Sequence, residues 1–170
     1  MTEPTVFRLR DLASLRGTPL AVRGPRGAIA LLLRLGCAAT LVLIGYIHLH
    51  LWLEGYRQIP TDGPTFLLAA IAGFVLAAAL LAWAAPVVGV LAAGYAAATL
   101  GALLISLSVG LFGFRESIQA SFVVESIWVE AIVTIALAGW TILVAIPPAS
   151  RAPASADAAV TPAGQAPPAR

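Results

Sequence analysis

The chain has 170 residues, of which 60% are hydrophobic and only 11% are charged, with a formal net charge of +2 and a mean hydropathy of +0.94. Soluble globular domains carry about 25% charged residues, so the composition excludes a soluble domain and indicates a protein whose solvent is lipid. All ten basic residues are arginine, and lysine and asparagine are absent, which favours a GC-rich bacterial source.

Residues 1–27 form an Arg-rich segment that proline and glycine interrupt, so we expect no long helix there. The apolar stretch that follows continues to Leu53, which is too long for a signal peptide or a lipoprotein leader ahead of Cys37. We therefore expect the first helix to stay in the membrane. Cys37 is the single cysteine, which rules out an internal disulfide or a CxxC pair.

Four membrane-spanning helices are predicted, at about residues 28–53, 64–85, 87–111 and 121–146. Residues 66–114 contain no charge over 49 positions, about 74 Å of helix at about 1.5 Å per residue, so this stretch must fold back once. We place that turn at Ala84-Ala85-Pro86, because proline lacks an amide donor. The predicted fold class is all-α: a polytopic membrane protein built as a four-transmembrane-helix bundle.

Arginines are distributed unevenly between the two sides of this topology. The two termini together with Arg34 carry eight arginines, whereas Arg57 and Arg115 lie in the opposite loops. The positive-inside rule then predicts a multi-pass plasma membrane protein with both termini in the cytoplasm, and with Arg34 reaching the inner headgroups. Residues 147–170 are rich in proline and alanine and are predicted to be a disordered cytoplasmic tail.

Small residues recur every four positions in the two central spans. Helices in lipid associate through close backbone approach, so these faces are predicted to pack inward or against a partner. The predicted packing residues are Ala69, Gly73, Ala77, Ala93, Gly94, Ala97, Ala98 and Gly101.

A polar cluster is predicted on the outer side of the bundle, at the end of the first span and the start of the fourth. Its candidate members are His48, His50, Glu54, Arg57, Arg115, Glu116, Glu125 and Glu130. His50, Glu54 and Arg57 share one helix face if the first helix continues that far. His48 points away from His50 by about 200°, which argues against a two-histidine metal clamp.

Glu130 lies nine residues beyond Ser121, about 13 Å along the helix axis, and so below the headgroups. An ionised carboxylate at that depth is costly, and we expect it to pair with a histidine. Two interpretations stay open. The glutamates form interhelical bonds that fix the packing, or they serve a proton relay or a quinone site together with histidine.

Two stretches carry a resemblance, one from Gly55-Tyr56-Arg57-Gln58 through Pro64-Thr65-Phe66-Leu67-Leu68, and one from Leu111-Phe112-Gly113 to Glu116. With them the chain resembles uncharacterised four-helix membrane proteins of actinobacteria over about residues 28–146. A more distant similarity to DoxX-like four-helix proteins concerns architecture alone. The resemblance implies a fold and no activity.

Two functional hypotheses follow. The leading one is a structural or accessory membrane protein that associates with itself or a larger membrane complex through its small-residue faces. The rival is a redox, proton-coupled or metal-handling protein that uses the outer His/Glu cluster. We predict no cofactor, although a metal or a quinone would suit the rival, and no nucleic-acid partner; the partner is the lipid bilayer. Enzyme signatures such as a P-loop or a nucleophile elbow do not occur, and a channel or transporter is disfavoured in so small a bundle.

Overall fold

The computed structural model describes residues 24–146, and within them four long helices form a bundle. Helix α1 spans Gly24–Glu54, α2 spans Asp62–Ala82, α3 spans Pro86–Ser108 and α4 spans Val123–Ala145, with a single 3-10 turn at Tyr56–Gln58. All four helices are long and apolar enough to cross a membrane. The predicted all-α, four-helix transmembrane architecture is confirmed. The predictions for the Arg-rich N-terminal segment, up to residue 23, and for the tail from residue 147 lie outside the described residues.

The outer surface of the bundle is apolar. Large side chains on every helix are exposed, among them Leu32, Leu68, Leu91 and Ile135, the last with 74% of its surface accessible. A soluble bundle would place charged residues on this surface, whereas lipid requires the opposite. At 31 residues, α1 measures about 46 Å, so it must tilt or project beyond a hydrocarbon core of about 30 Å.

The bundle has two ends that differ in construction. At the terminal end α1 begins, α4 finishes, and the residues Trp83–Ala85 join α2 to α3. At the loop end lie the connection from α1 to α2 and the longer connection from α3 to α4. Helix α1 packs mainly on α2, and α3 mainly on α4, while α2 and α3 touch least among the neighbouring pairs.

Tight packing fills the terminal end. Trp140 is 1% exposed, and its indole nitrogen donates a hydrogen bond of 3.1 Å to the Ala30 carbonyl. A Cβ atom on Gly89 would lie 2.9 Å from the Trp140 ring, so only glycine lets α3 approach α4 this closely. Leu41, Leu80 and Leu137 complete this core.

Two arginines bind backbone carbonyls at the terminal end. Arg34 is 4% exposed and donates hydrogen bonds to the carbonyls of Leu80, at 2.7 Å, and Leu81. Arg26 donates to Leu143 and Ile146 at 2.9 and 2.5 Å. The last carbonyls of a helix lack intrahelical partners, and these guanidinium groups supply them. The prediction that Arg34 extends to the headgroups is therefore wrong: it folds inward to cap α2.

The helices begin and end within a few residues of the predicted positions. Pro86 occupies the first turn of α3, where its missing amide costs nothing. Helix α1 ends at Glu54, because Gly55 takes φ 159° and starts the 3-10 turn. Arg57 thus falls outside the helix that was expected to carry it on one face with His50.

The small residues of α2 and α3 have different surroundings. Gly73 is buried, and a Cβ there would lie 3.0 Å from the Gly45 Cα, which marks the close crossing of α1 and α2. On α3 the fully buried alanines are Ala92 and Ala96. The remaining predicted packing residues lie as follows: Ala77 is buried, Ala69, Ala93 and Gly101 are half-buried, and Gly94, Ala97 and Ala98 are exposed.

Candidate functional site

A cavity of about 620 Å³ opens at the loop end, between α2 and α3. Ligand pockets for small organic molecules measure about 300–1,000 Å³. All four helices and both loops contribute side chains, and most of them are apolar. Helices α2 and α3 are joined at the terminal end by a three-residue connection and touch least among the neighbouring pairs, which leaves room for the cavity between them.

Glu130 lies on the wall of this cavity, within the membrane-spanning part of α4. Its side chain is 2% exposed, and its Oε2 atom has no hydrogen-bond partner among the described residues. The Thr99 hydroxyl of α3 is its hydrogen-bonding neighbour, and Tyr95 lies close enough to interact with its charge. Tyr95 in turn donates a 2.8 Å hydrogen bond to the Ala69 carbonyl, which ties α3 to α2.

Aromatic rings surround the mouth of the cavity. The Tyr56 ring stacks on Phe66 with centroids 4.5 Å apart and meets Phe114 edge-on at 5.8 Å. The Tyr56 hydroxyl donates a 2.5 Å hydrogen bond to Glu116 Oε2. The Glu116 amide is bound to Ser106 on α3, so this contact links the loop after α1 to the end of α3. Burial, reinforced by the nearby Glu116 carboxylate, raises the pKa of Tyr56 above its ordinary value.

Asp62, the first residue of α2, also faces the cavity. It is 6% exposed, and its Oδ2 atom has no hydrogen-bond partner within residues 24–146. Gly63 follows it, and a Cβ there would lie 2.9 Å from the Arg57 carbonyl, so the loop closes tightly over the start of α2. The Asp62 side chain is therefore buried, whereas most aspartate side chains in proteins are exposed.

Two phenylalanines on the rim have left-handed backbone conformations. Phe112 has φ 50° and Phe122 has φ 63°, and both line the cavity. Bulky residues with positive φ are strained, and such strain concentrates at functional sites. Phe122 also packs edge-on against His50, with centroids 5.5 Å apart.

The cavity opens sideways as well as at the loop end. Leu68 of α2 and Ile105 of α3 both line it, yet they are 66% and 46% exposed on the outer surface of the bundle. Ala98 also lines it and is exposed. These lining residues therefore also belong to the apolar outer surface of the bundle, on the side where α2 and α3 meet.

The eight residues of the predicted polar cluster fall into separate groups. His48, Glu116 and Glu130 line the cavity. His48 makes a 2.9 Å hydrogen bond through Nδ1 with the Ile44 carbonyl, and its ring lies 5.4 Å from that of Phe66. His50 Nε2 lies 3.2 Å from Glu54 Oε1 on the other face of α1, and the His50 ring stacks on Tyr46. The other cluster residues are exposed: Arg57, Arg115 and Glu125.

The expected pairing of Glu130 with a histidine is not what the fold provides, since Thr99 and Tyr95 are its polar neighbours. Sequence reasoning did not assign either residue to the site. A signal existed: Tyr95, Thr99 and Ser106 fall on one stripe of α3, and Ser126 and Glu130 lie four apart on α4. All five line the cavity.

Within residues 24–146, no three His, Cys, Asp or Glu side chains come close enough to hold a metal ion. Comparison of the chain with family models, with curated proteins and with solved structures finds no match. What the fold defines is therefore a class, a multi-pass four-helix membrane protein, and its function has to be argued from the cavity.

Proposed function

We propose that this protein binds a small, mostly apolar molecule in the loop-end cavity, with Glu130 as the polar contact. The observation that carries the proposal is a cavity of about 620 Å³ with apolar walls, lined by the buried carboxyl group of Glu130, one oxygen of which has no hydrogen-bond partner within residues 24–146. A buried polar group without a partner costs about 1–3 kcal/mol, a cost that a purely structural bundle has no reason to carry. A ligand that binds there offsets it.

Of the two hypotheses drawn from the sequence, the second is the one developed here, in which polar side chains at the loop end bind a ligand. A quinone, which would accept a hydrogen bond from a protonated Glu130, remains one occupant of that kind. We further propose that the loop end faces outward from a bacterial plasma membrane, with both termini cytoplasmic, as the arginine distribution favours. On the resemblance described above, we also propose that the chain is related to the four-helix membrane proteins of actinobacteria.

A cavity-filling substitution tests the proposal. Ala102 is half-buried and lines the cavity, so tryptophan at this position should occupy the space of the ligand. Ala138 of α4 is exposed and does not line the cavity, so Ala138→Trp is the matched control. Binding of the neutral dye Nile red is measured by equilibrium dialysis against nanodiscs with and without protein. We expect saturable binding by the wild type and by Ala138→Trp, and its loss in Ala102→Trp. Equal uptake by all three proteins, or none above empty nanodiscs, would contradict the proposal.

Association through α3 is a second function that one observation favours. Gly94 and Ala97 are exposed within the single chain, and a Cβ on Gly94 would meet no atom within 4 Å. Close-packed transmembrane dimers use such small residues. If this face pairs with a second copy or another membrane protein, Gly94→Leu should lower the oligomeric mass in detergent and leave Nile red binding unchanged.

A further inference from the structure

The charge of the cavity indicates which kind of apolar molecule it binds. Three carboxyl groups line it. Glu116 accepts a hydrogen bond from the Tyr56 hydroxyl, whereas Glu130 and Asp62 each have one buried oxygen without a hydrogen-bond partner within residues 24–146. They come from different helices, so the acidity does not arise from a single acidic stretch. No arginine lines the cavity within the described part of the chain, and His48 is the sole basic side chain there.

Neither acid has an oppositely charged side chain bound to it within residues 24–146. An ionised side chain within a transmembrane helix costs about 3 kcal/mol on insertion scales, so it is neutralised by a proton or by a cation. Arg57 and Arg115, the arginines of the loop end, are exposed and do not line the cavity. Apart from a proton, the charge that balances these acids is therefore that of a bound cation.

Aromatic rings line the same cavity as the two acids. Tyr56, Phe66 and Phe114 form one contiguous group at the mouth, and Phe122 is a further lining residue. Aromatic faces attract cations by about 0.5–2 kcal/mol, more when water is excluded, and they bind organic cations without needing hydrogen-bond donors. Carboxylates and aromatic rings together are the surroundings that a substituted ammonium or phosphonium group prefers.

From these features we infer that the cavity binds a lipophilic organic cation, which reaches it from the membrane through the gap between α2 and α3 and places its positive centre against Glu130. The apolar walls accommodate its organic body, and the exposed Leu68 and Ile105 mark its route from the lipid. This inference rests on the proposed function and specifies its ligand class. It also explains why the unpartnered groups are both acids.

Matched probes and matched variants test this inference. Tetraphenylphosphonium is a lipophilic cation, and triphenylphosphine oxide is a neutral relative that accepts hydrogen bonds. Their binding is measured by equilibrium dialysis with the full chain in phosphatidylcholine nanodiscs. Glu130→Gln keeps the size of the side chain and removes its charge. Glu125→Gln does the same to an exposed glutamate five residues earlier on α4.

We expect Glu130→Gln to weaken tetraphenylphosphonium binding about 10- to 100-fold, the loss for a charged contact, and Glu125→Gln to leave it unchanged. Asp62→Asn should weaken it less, and it provides a second test if the Glu130 variant does not fold. Neutral phosphine oxide should bind Glu130→Gln at least as well as the wild type, because the amide can donate a hydrogen bond.

Equal binding of the cation to wild type, Glu130→Gln and Asp62→Asn would overturn the inference. If Ala102→Trp still abolished Nile red binding in that case, the cavity would remain a binding site for neutral molecules, and the quinone-like occupant would be favoured. If Ala102→Trp had no effect on either probe, the proposed function itself would fail. The two failures are thus distinguishable.

Discussion

The two ends of the bundle use their buried polar groups in opposite ways. At the terminal end, Arg34 is buried and both of its hydrogen bonds are made to helix carbonyls that need them. At the loop end, Glu130 and Asp62 are buried to a similar extent, and each has an oxygen without a hydrogen-bond partner within residues 24–146. On the proposed function, the buried polar groups of the terminal end hold the fold, whereas those of the loop end bind a ligand.

The largest effect is expected at the packed end. Trp140→Ala should lower the free energy of unfolding by about 3 kcal/mol, through a cavity and the lost contacts of a residue 1% exposed. In a bilayer the side chains of the unfolded state remain in an apolar solvent. Most of this cost is therefore lost packing, and little of it is hydrophobic transfer. Trp128→Ala on the same helix, where the ring is 65% exposed, is the control and should change little. Unfolding by sodium dodecyl sulfate measures both, and equal losses would contradict the packing described.

Arg34→Leu should destabilise the protein by about 2 kcal/mol, because it leaves the Leu80 and Leu81 carbonyls buried without donors. Arg26→Leu should cost less, since Arg26 is exposed and water or headgroups can replace it. The same unfolding assay compares them. A cost for Arg26→Leu equal to that of Arg34→Leu would show that burial of the guanidinium is not what matters.

At the loop end, replacing a buried polar group should stabilise the protein instead of destabilising it. Glu130→Leu removes a buried carboxyl group, one oxygen of which has no partner within the described residues, and should raise the free energy of unfolding by about 1 kcal/mol while abolishing tetraphenylphosphonium binding. Opposite changes in stability and binding are the mark of a residue kept for a ligand. A marked loss of stability would instead mean that Glu130 belongs to the structural framework, as Arg34 does.

The smallest effect concerns the hydrogen bond between Tyr56 and Glu116 at the mouth. Tyr56→Phe should cost about 1 kcal/mol at pH 8. The pKa of Tyr56 is raised in the folded protein. The stabilisation by its protonated hydroxyl is therefore complete below the ordinary tyrosine pKa of about 10, and it is lost as the pH rises above that value. Melting curves between pH 8 and 11 should therefore show the difference between wild type and variant shrinking. A constant difference would contradict the assignment.

The architecture was accessible from sequence because lipid imposes simple requirements. An uncharged stretch of 49 residues must cross twice, and Pro86 marks where it turns. The cavity was not accessible, because it depends on how α2 and α3 pack against each other, which the spacing of residues along the chain does not determine. Arg34 shows the same limit of prediction from sequence. An arginine near a helix end is typical of a residue that contacts lipid headgroups, and its role as a cap depends on where α2 ends in the folded bundle.

Chemical modification of Glu130 tests the central claim most directly, which is that an unpartnered carboxyl within the membrane is reachable from the lipid. Dicyclohexylcarbodiimide is lipid-soluble and adds to protonated carboxyl groups. It is applied to membranes that contain the protein, and the label is located by peptide mass spectrometry. We predict a label on Glu130 that tetraphenylphosphonium and Ala102→Trp both suppress, with none of that suppression at the exposed Glu125. An unlabelled Glu130 alongside a labelled Glu125 would contradict the account.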